Sequence, residues 1–208
     1  MAIIVIGGHS RNVGKTSVVA GLIAALPAYN WTAFKITQYG HGQCSLDGQP
    51  CQCATDDHTW AISEERDGSA ASDSSRFLAA GAKRSFWVRT GQGRLAEAMP
   101  AIRRRLAEAE NSIVESNSIL KFIRPTLYIT VLDPATEDFK SSAQEFLDRA
   151  HAVVLHRSAC GPLWRGTSLT SVAGRPVFTI TPPQYVSTEL IRFVNERLEM
   201  ATNKSPRT

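Results

Sequence analysis

An α/β fold is expected, a mostly parallel sheet flanked by helices on both faces, and three observations point to it. Short continuous apolar runs with β-branched content recur along the 208 residues, the mark of strands buried on both sides. Helical patterns lie between them, as a chain needs if each new strand is to run parallel to the last. The first run, Ala2-Ile3-Ile4-Val5-Ile6, opens directly into a glycine-bearing loop and a helix.

That loop reads Gly8-His9-Ser10-Arg11-Asn12-Val13-Gly14-Lys15-Thr16-Ser17. Strand, loop and helix N-terminus together form an anion site from backbone amides, to which Lys15 adds a cation and Thr16 a metal-binding hydroxyl. In the usual spacing four residues separate the two glycines, and the position of the first glycine is held here by His9. Gly8 comes one place earlier, so the loop is lengthened. A single three-layer P-loop nucleoside triphosphatase domain over residues 1–202 is the resulting expectation.

The elements follow in order. Val18 to Leu26 continues the helix, which stops at Pro27 because proline offers no amide to extend it. Thr32 to Thr37 reads as a second strand, and residues 38–72 then lose period, turning to Gly, Gln, Cys, Asp, His and Ser. So long a connection is a functional insert or a disordered one. Ser72 to Gly81 has a capping serine and a closing glycine, hence a short helix. Ser85 to Val88 is a strand, and about Arg94 to Glu110 a helix whose inner face is Leu95, Ala98, Met99, Ile102 and Leu106, with a kink or break at Pro100.

Three more strands are expected at Ser112–Val114, Leu127–Leu132 and Ala152–Leu155, with a helix over Ser141–Leu147 between the last two. Val177–Ile180 is a final strand and Ser187–Met200 a final helix, with Leu190, Ile191, Val194 and Leu198 inward. Residues 203–208 have nothing to bury and read as a flexible tail.

An apolar fraction of 43% and a charged fraction of 20% are those of a globular protein, and a net charge of +4 does not argue for nucleic acid. Arg103-Arg104-Arg105 falls late in a helix, where cations complement the dipole. No apolar stretch approaches the ~20 residues of a membrane span and no leader pattern is visible, so a cytoplasmic protein is expected. Its thiols are then reduced or metal-bound.

The chemistry should gather at the carboxyl ends of the strands. The amides from Asn12 through Val13, Gly14, Lys15 and Thr16 to Ser17 are expected to hold phosphates, with Gly8 opening the loop, Lys15 reaching the β- and γ-phosphates and Thr16 binding Mg²⁺. Glu115, just after its strand, is the candidate second metal ligand or water-positioning acid. Asp133 ends the next strand in the same way, but Pro134 leaves it open between site residue and turn former. Lys35, near the end of the second strand, needs an anion if buried and would meet phosphate or substrate; an edge-strand lysine in water is the alternative. The stretch Leu155-His156-Arg157-Ser158-Ala159 has no acid to read guanine, so GTP and ATP both stay open.

With five residues between Gly8 and Gly14 and Val13-Gly14-Lys15-Thr16 at its end, the lengthened loop resembles that of dethiobiotin synthetase. In order, Gly8 to Ser17, Lys35 with His41-Gly42, Asp73-Ser74-Ser75-Arg76 with Ala80-Gly81-Ala82, and Val114-Glu115 are similar to the molybdopterin-guanine dinucleotide biosynthesis protein B family, within the dethiobiotin synthetase and cobyrinate synthase class. Where that family continues Val-Glu-Gly, this chain has Ser116-Asn117-Ser118 after Glu115. The resemblance implies Mg²⁺-dependent binding and hydrolysis of GTP or ATP in service of cofactor maturation, that of the molybdenum cofactor being one case, with a biosynthetic protein partner. An ATP-dependent synthetase acting on a small carboxylate and a nucleotide-switched adaptor are the alternatives, and a homodimer is expected by analogy.

The insert holds His41, Cys44, Cys51, Cys53 and His58. Thiolates and imidazole in such a cluster suit zinc or an iron–sulfur cluster, though Cys51-Gln52-Cys53 is closer than the usual pair spacing. Free thiols and redox pairing stay open beside the metal. Cys160, before Gly161-Pro162, reads as a small buried residue.

Overall fold

The computed structural model describes residues 1–39, 59–69, 72–159, 161–164 and 167–203. Eight strands form one sheet in the order β3-β4-β2-β5-β1-β6-β7-β8. They are β1 (Ala2–Gly8), β2 (Trp31–Tyr39), β3 (Trp60–Glu64), β4 (Arg84–Gly91), β5 (Asn111–Glu115), β6 (Leu127–Leu132), β7 (Ala152–His156) and β8 (Val177–Ile180). All pairings are parallel except β3 with β4. The helices are α1 (Lys15–Ala25), α2 (Asp73–Ala79), α3 (Leu95–Ala107), α4 (Ser141–Gln144) and α5 (Thr188–Asn203).

Successive side chains of a strand point to opposite faces, and here both faces are covered. Ile4, Ile6, Ala33 and Ile113 join Val19, Leu22, Leu190 and Val194 of α1 and α5 in one core. Val5, Phe34 and Val114, one residue along, join Leu95, Met99 and Ile102 of α3 in the other. The apolar runs are continuous because each strand feeds two cores.

Chain order decides where the site lies. From β1 the chain passes outward to β2, β3 and β4, returns as β5 beside β1, and then crosses to β6 on the other side. The loops leaving β1, β5 and β6 therefore diverge at the carboxyl edge of the central strand, the crevice in which sheets of this kind bind ligands.

Some sequence expectations are corrected by the pairing. Gln38 and Tyr39 extend β2, and Trp60–Glu64 forms the antiparallel edge strand, so both ends of the insert are strand. Trp60 and Ile62 pack against the α3 core, a stabilisation that a single-sequence period does not reveal. Pro100 sits inside an unbroken α3. The helix expected over Ser141–Leu147 closes after Gln144, and a 3₁₀ turn, Leu147–Arg149, follows. Helix α5 runs to Asn203, and the remainder of the tail lies outside the described residues.

Candidate functional site

The lengthened loop leaves β1 through two glycines with different jobs. A Cβ on Gly7 would lie 2.2 Å from Asn117 Oδ1, so only glycine lets Asn117 approach. Asn117 then clamps Gly8 at both ends: its Oδ1 accepts from the Gly8 amide at 3.0 Å and its Nδ2 donates to the Gly8 carbonyl at 2.9 Å. The backbone turns through positive φ at Asn12 (57°) and Gly14 (83°), a conformation that asparagine and glycine tolerate best. Helix α1 starts at Lys15 with no side-chain cap, so its first amides face the loop's concavity and are donors for an anion.

On the β5 side of the loop, strand register makes a cluster. Lys35 of β2 pairs with Glu115 of β5, and Glu115 pairs with Ile6 of β1. The Lys35 ammonium lies 2.5 Å from Glu115 Oε1, 2.8 Å from Asp73 Oδ2 at the start of α2, and donates to Thr16 Oγ1 at 3.2 Å. Thr16 Oγ1 in turn donates to Glu115 Oε2 at 2.8 Å. Glu115 is 3% exposed, and a carboxylate so buried requires a cation. Arg76 of α2 donates to Ser17 Oγ at 3.1 Å, which ties α2 to α1. Burial pulls the Lys35 amine down, but Glu115 and Asp73 outweigh it and hold it above the ordinary lysine value. Lys15 has no carboxylate so close, and burial lowers it; its amine donates to the Ser10 carbonyl at 2.5 Å.

Three oxygens from Thr16, Glu115 and Asp73 thus surround one cationic position beside the phosphate cradle. Two carboxylates and a hydroxyl are the kind of donors a hard divalent cation takes, and here they hold the Lys35 ammonium. The donor set fits Mg²⁺.

On the β6 side, His9 does the holding. Its ring is fully buried, with Nδ1 2.8 Å from the Asp138 carbonyl and Nε2 accepting from the Asp133 amide at 3.0 Å. A carbonyl at one nitrogen and an N–H at the other define the neutral tautomer with its proton on Nδ1, and burial lowers the pKa accordingly. The ring lies 5.1 Å from Phe139 and 5.1 Å from Trp164. Ser10 Oγ donates to Asp138 Oδ2 at 2.6 Å and the Lys140 amide to the His9 carbonyl at 2.8 Å. Asp133 itself is a turn former: its carboxylate accepts from the Ala135 amide and the Thr136 hydroxyl.

Beyond β7 and β8, His156 Nε2 is 3.0 Å from the Val13 carbonyl, and the Tyr185 ring stands edge-on to it at 6.0 Å. A Cβ at Gly14 would come within 2.3 Å of the Tyr185 ring. Tyr185 thereby packs against the phosphate loop.

Of the residues singled out in the sequence, the structure brings Lys15, Thr16, Lys35 and Glu115 to one edge, with Gly8, Asn12, Val13, Gly14 and Ser17 forming the turn. His41, Cys44, Cys51, Cys53, His58 and Cys160 lie outside the described residues, and among the described residues no group of three or more His, Cys, Asp or Glu side chains is placed to hold a metal. Asp73, Arg76, Asn117 and Lys140 carry site contacts that were not anticipated. Asp73 and Arg76 belong to the Asp-Ser-x-Arg segment, and Asn117 lies in the Ser116-Asn117-Ser118 stretch that departs from the Val-Glu-Gly pattern.

No family model matches the chain, and no curated protein does. Among solved structures it is similar to HypB from Helicobacter pylori in complex with nickel, with 14% identity over 99% of this chain and 90% of that one at a TM-score of 0.49. LpxK from Aquifex aeolicus in complex with ATP gives 18% identity and a TM-score of 0.48, covering 86% of this chain and 53% of that one. MobB of Bacillus subtilis gives 14% identity and a TM-score of 0.39, covering 95% of this chain and 98% of that one. The chain spans about half the length of the LpxK chain. Its own sheet order and loop geometry define the α/β architecture.

Proposed function

We propose that this protein is a Mg²⁺-dependent P-loop nucleoside triphosphatase that assists the maturation of a cofactor. The observation that carries the reading is the Lys35 ammonium held by Thr16, Glu115 and Asp73 beside the loop: an oxygen cage for a cation at the edge of an anion cradle. Thr16, Glu115 and Asp73 would hold the ion, which neutralises charge on the β- and γ-phosphates when bound. The loop amides from Asn12 to Ser17 orient the phosphates, Lys15 counters their charge, and the Lys35 amine turns to the terminal phosphate or to a substrate anion. Glu115, fixed by Thr16, positions water at the same edge.

Isothermal titration tests this directly. Lys15→Met is expected to abolish measurable triphosphate binding, and Glu115→Gln to remove its Mg²⁺ dependence. Binding indifferent to Lys15 and to Mg²⁺ would sink the proposal.

Molybdenum cofactor maturation rests on the Lys35, Asp73–Arg76 and Val114-Glu115 motifs, and the cysteine insert is the segment proposed to receive cargo or a biosynthetic partner. A synthetase reading rests on the Lys35 amine near the end of β2, 12% exposed, as the group that would meet a small carboxylate. Added small acids that accelerate nucleotide turnover would select it.

A further inference from the structure

We infer that Lys140 is a second phosphate-binding lysine, which His9 delivers to the cradle and which contacts the terminal phosphate of a bound nucleoside triphosphate. This rests on the phosphate-loop reading above and extends it.

The end of β6 and the segment after it are fastened to the phosphate loop at both ends, at Val131 and Asp133 and again at Asp138 and Lys140. The His9 amide donates to the Val131 carbonyl at 3.2 Å, the His9 ring bridges Asp133 and the Asp138 carbonyl, Ser10 reaches the Asp138 carboxylate, and the Lys140 amide closes on the His9 carbonyl. A glycine at position 9, as in the usual spacing, would offer none of the ring contacts. His9 therefore replaces a common glycine with a strut that sets where residue 140 leaves the backbone.

Charge says what the strut is for. The groups acting on the half-buried Lys140 amine are the cations Lys15, Arg11 and Lys35, with Asp138 as the acid. Asp138 is already engaged by Ser10 and the Lys35 charge by Glu115 and Asp73. The Lys140 main chain is held at the loop by the His9 carbonyl, and burial, with Lys15 and Arg11 as the cations that bear most on it, brings Lys140 down to about 8. Partly buried cations that repel one another are costly unless an anion joins them. Because Lys15 serves the β- and γ-phosphates, a cation arriving from the β6 side adds the discrimination between triphosphate and diphosphate.

The experiment compares affinities for non-hydrolysable imido analogues of ATP and GTP with those for ADP and GDP, in the wild type, Lys140→Met, Lys140→Arg and Lys15→Met. Loss of one charge-assisted contact predicts triphosphate binding weakened about tenfold in Lys140→Met, with diphosphate binding within about twofold of wild type. Lys140→Arg should restore the difference, and the ligand-free Lys140→Met protein should melt no lower than the wild type. Unchanged triphosphate affinity, or an equal loss of both ligands, would overturn the role of Lys140. Wild-type binding by Lys15→Met would instead overturn the phosphate-loop reading beneath it.

Discussion

The two flanks of the phosphate loop hold their charge in opposite ways. On the β5 side every charged group meets an opposite one: Lys35 touches Glu115 and Asp73, and Arg76 lies 3.8 Å from Asp73. On the β6 side the holding is done by a neutral imidazole, by the Ser10–Asp138 bond and by main chain, and Lys15 and Arg11 are the cations that bear most on Lys140. A self-neutralised cluster can exchange one cation for another, whereas a surplus of cations can only be relieved by an anion. In the proposed reading the first flank takes a metal and the second a phosphate.

The largest predicted effect is on the neutralised side. Lys35→Met leaves Glu115 buried without its closest cation, and breaking a buried pair in this way costs about 3–5 kcal/mol. Thermal melting should show that loss at low Mg²⁺ and recover much of it on adding Mg²⁺; a loss that Mg²⁺ does not relieve would mean that the cage does not accept the ion. His9→Ala comes next, since it strips partners from the Asp133 amide and the Asp138 carbonyl. Both contacts are part-buried, so each group left unsatisfied should cost about 1 kcal/mol, the low end for such losses, read by denaturant unfolding, and the triphosphate preference should fall with it.

A smaller effect separates the flanks by pH. A lysine depressed to about 8 is charged below that value and loses its proton above it, while bound phosphate favours the charged form. Triphosphate affinity should therefore fall as pH rises through about 8, by at most tenfold per unit for one proton, and Lys140→Met should flatten that slope. The opposite sign applies to stability of the ligand-free protein: the unfolded chain keeps the Lys140 proton to higher pH, so folding gains as pH rises from about 8 toward the ordinary lysine value. Chemical denaturation across that window checks it. The smallest effect is expected at Arg76, half exposed, where Arg76→Ala should change stability by no more than about 1 kcal/mol.

The phosphate loop was legible because its chemistry is local: strand, glycines, lysine and helix start are contiguous. Lys35 and Glu115 were legible as strand ends, but not as a pair. Their contact depends on β5 returning between β1 and β2, a crossover set by how the helices cover the sheet. Trp60–Glu64 escaped notice because its partner, β4, lies after it in the chain and its apolar residues are interrupted. Asp133 looked equally like a ligand and a turn former until the Ala135 and Thr136 bonds placed its carboxylate in the turn.

The amino-acid sequence by itself determined the parallel α/β layers, the lengthened glycine loop between the first strand and its helix, and the residues that could serve it, since periodicity and contiguous turn chemistry act over a few residues. Tertiary structure alone decided that Lys35 stands among Thr16, Glu115 and Asp73, that Asn117 grips Gly8, and that His9 is a strut rather than a flaw in a glycine motif. Those contacts join residues about a hundred positions apart, and only the order of strands in the sheet brings such distant side chains to one edge.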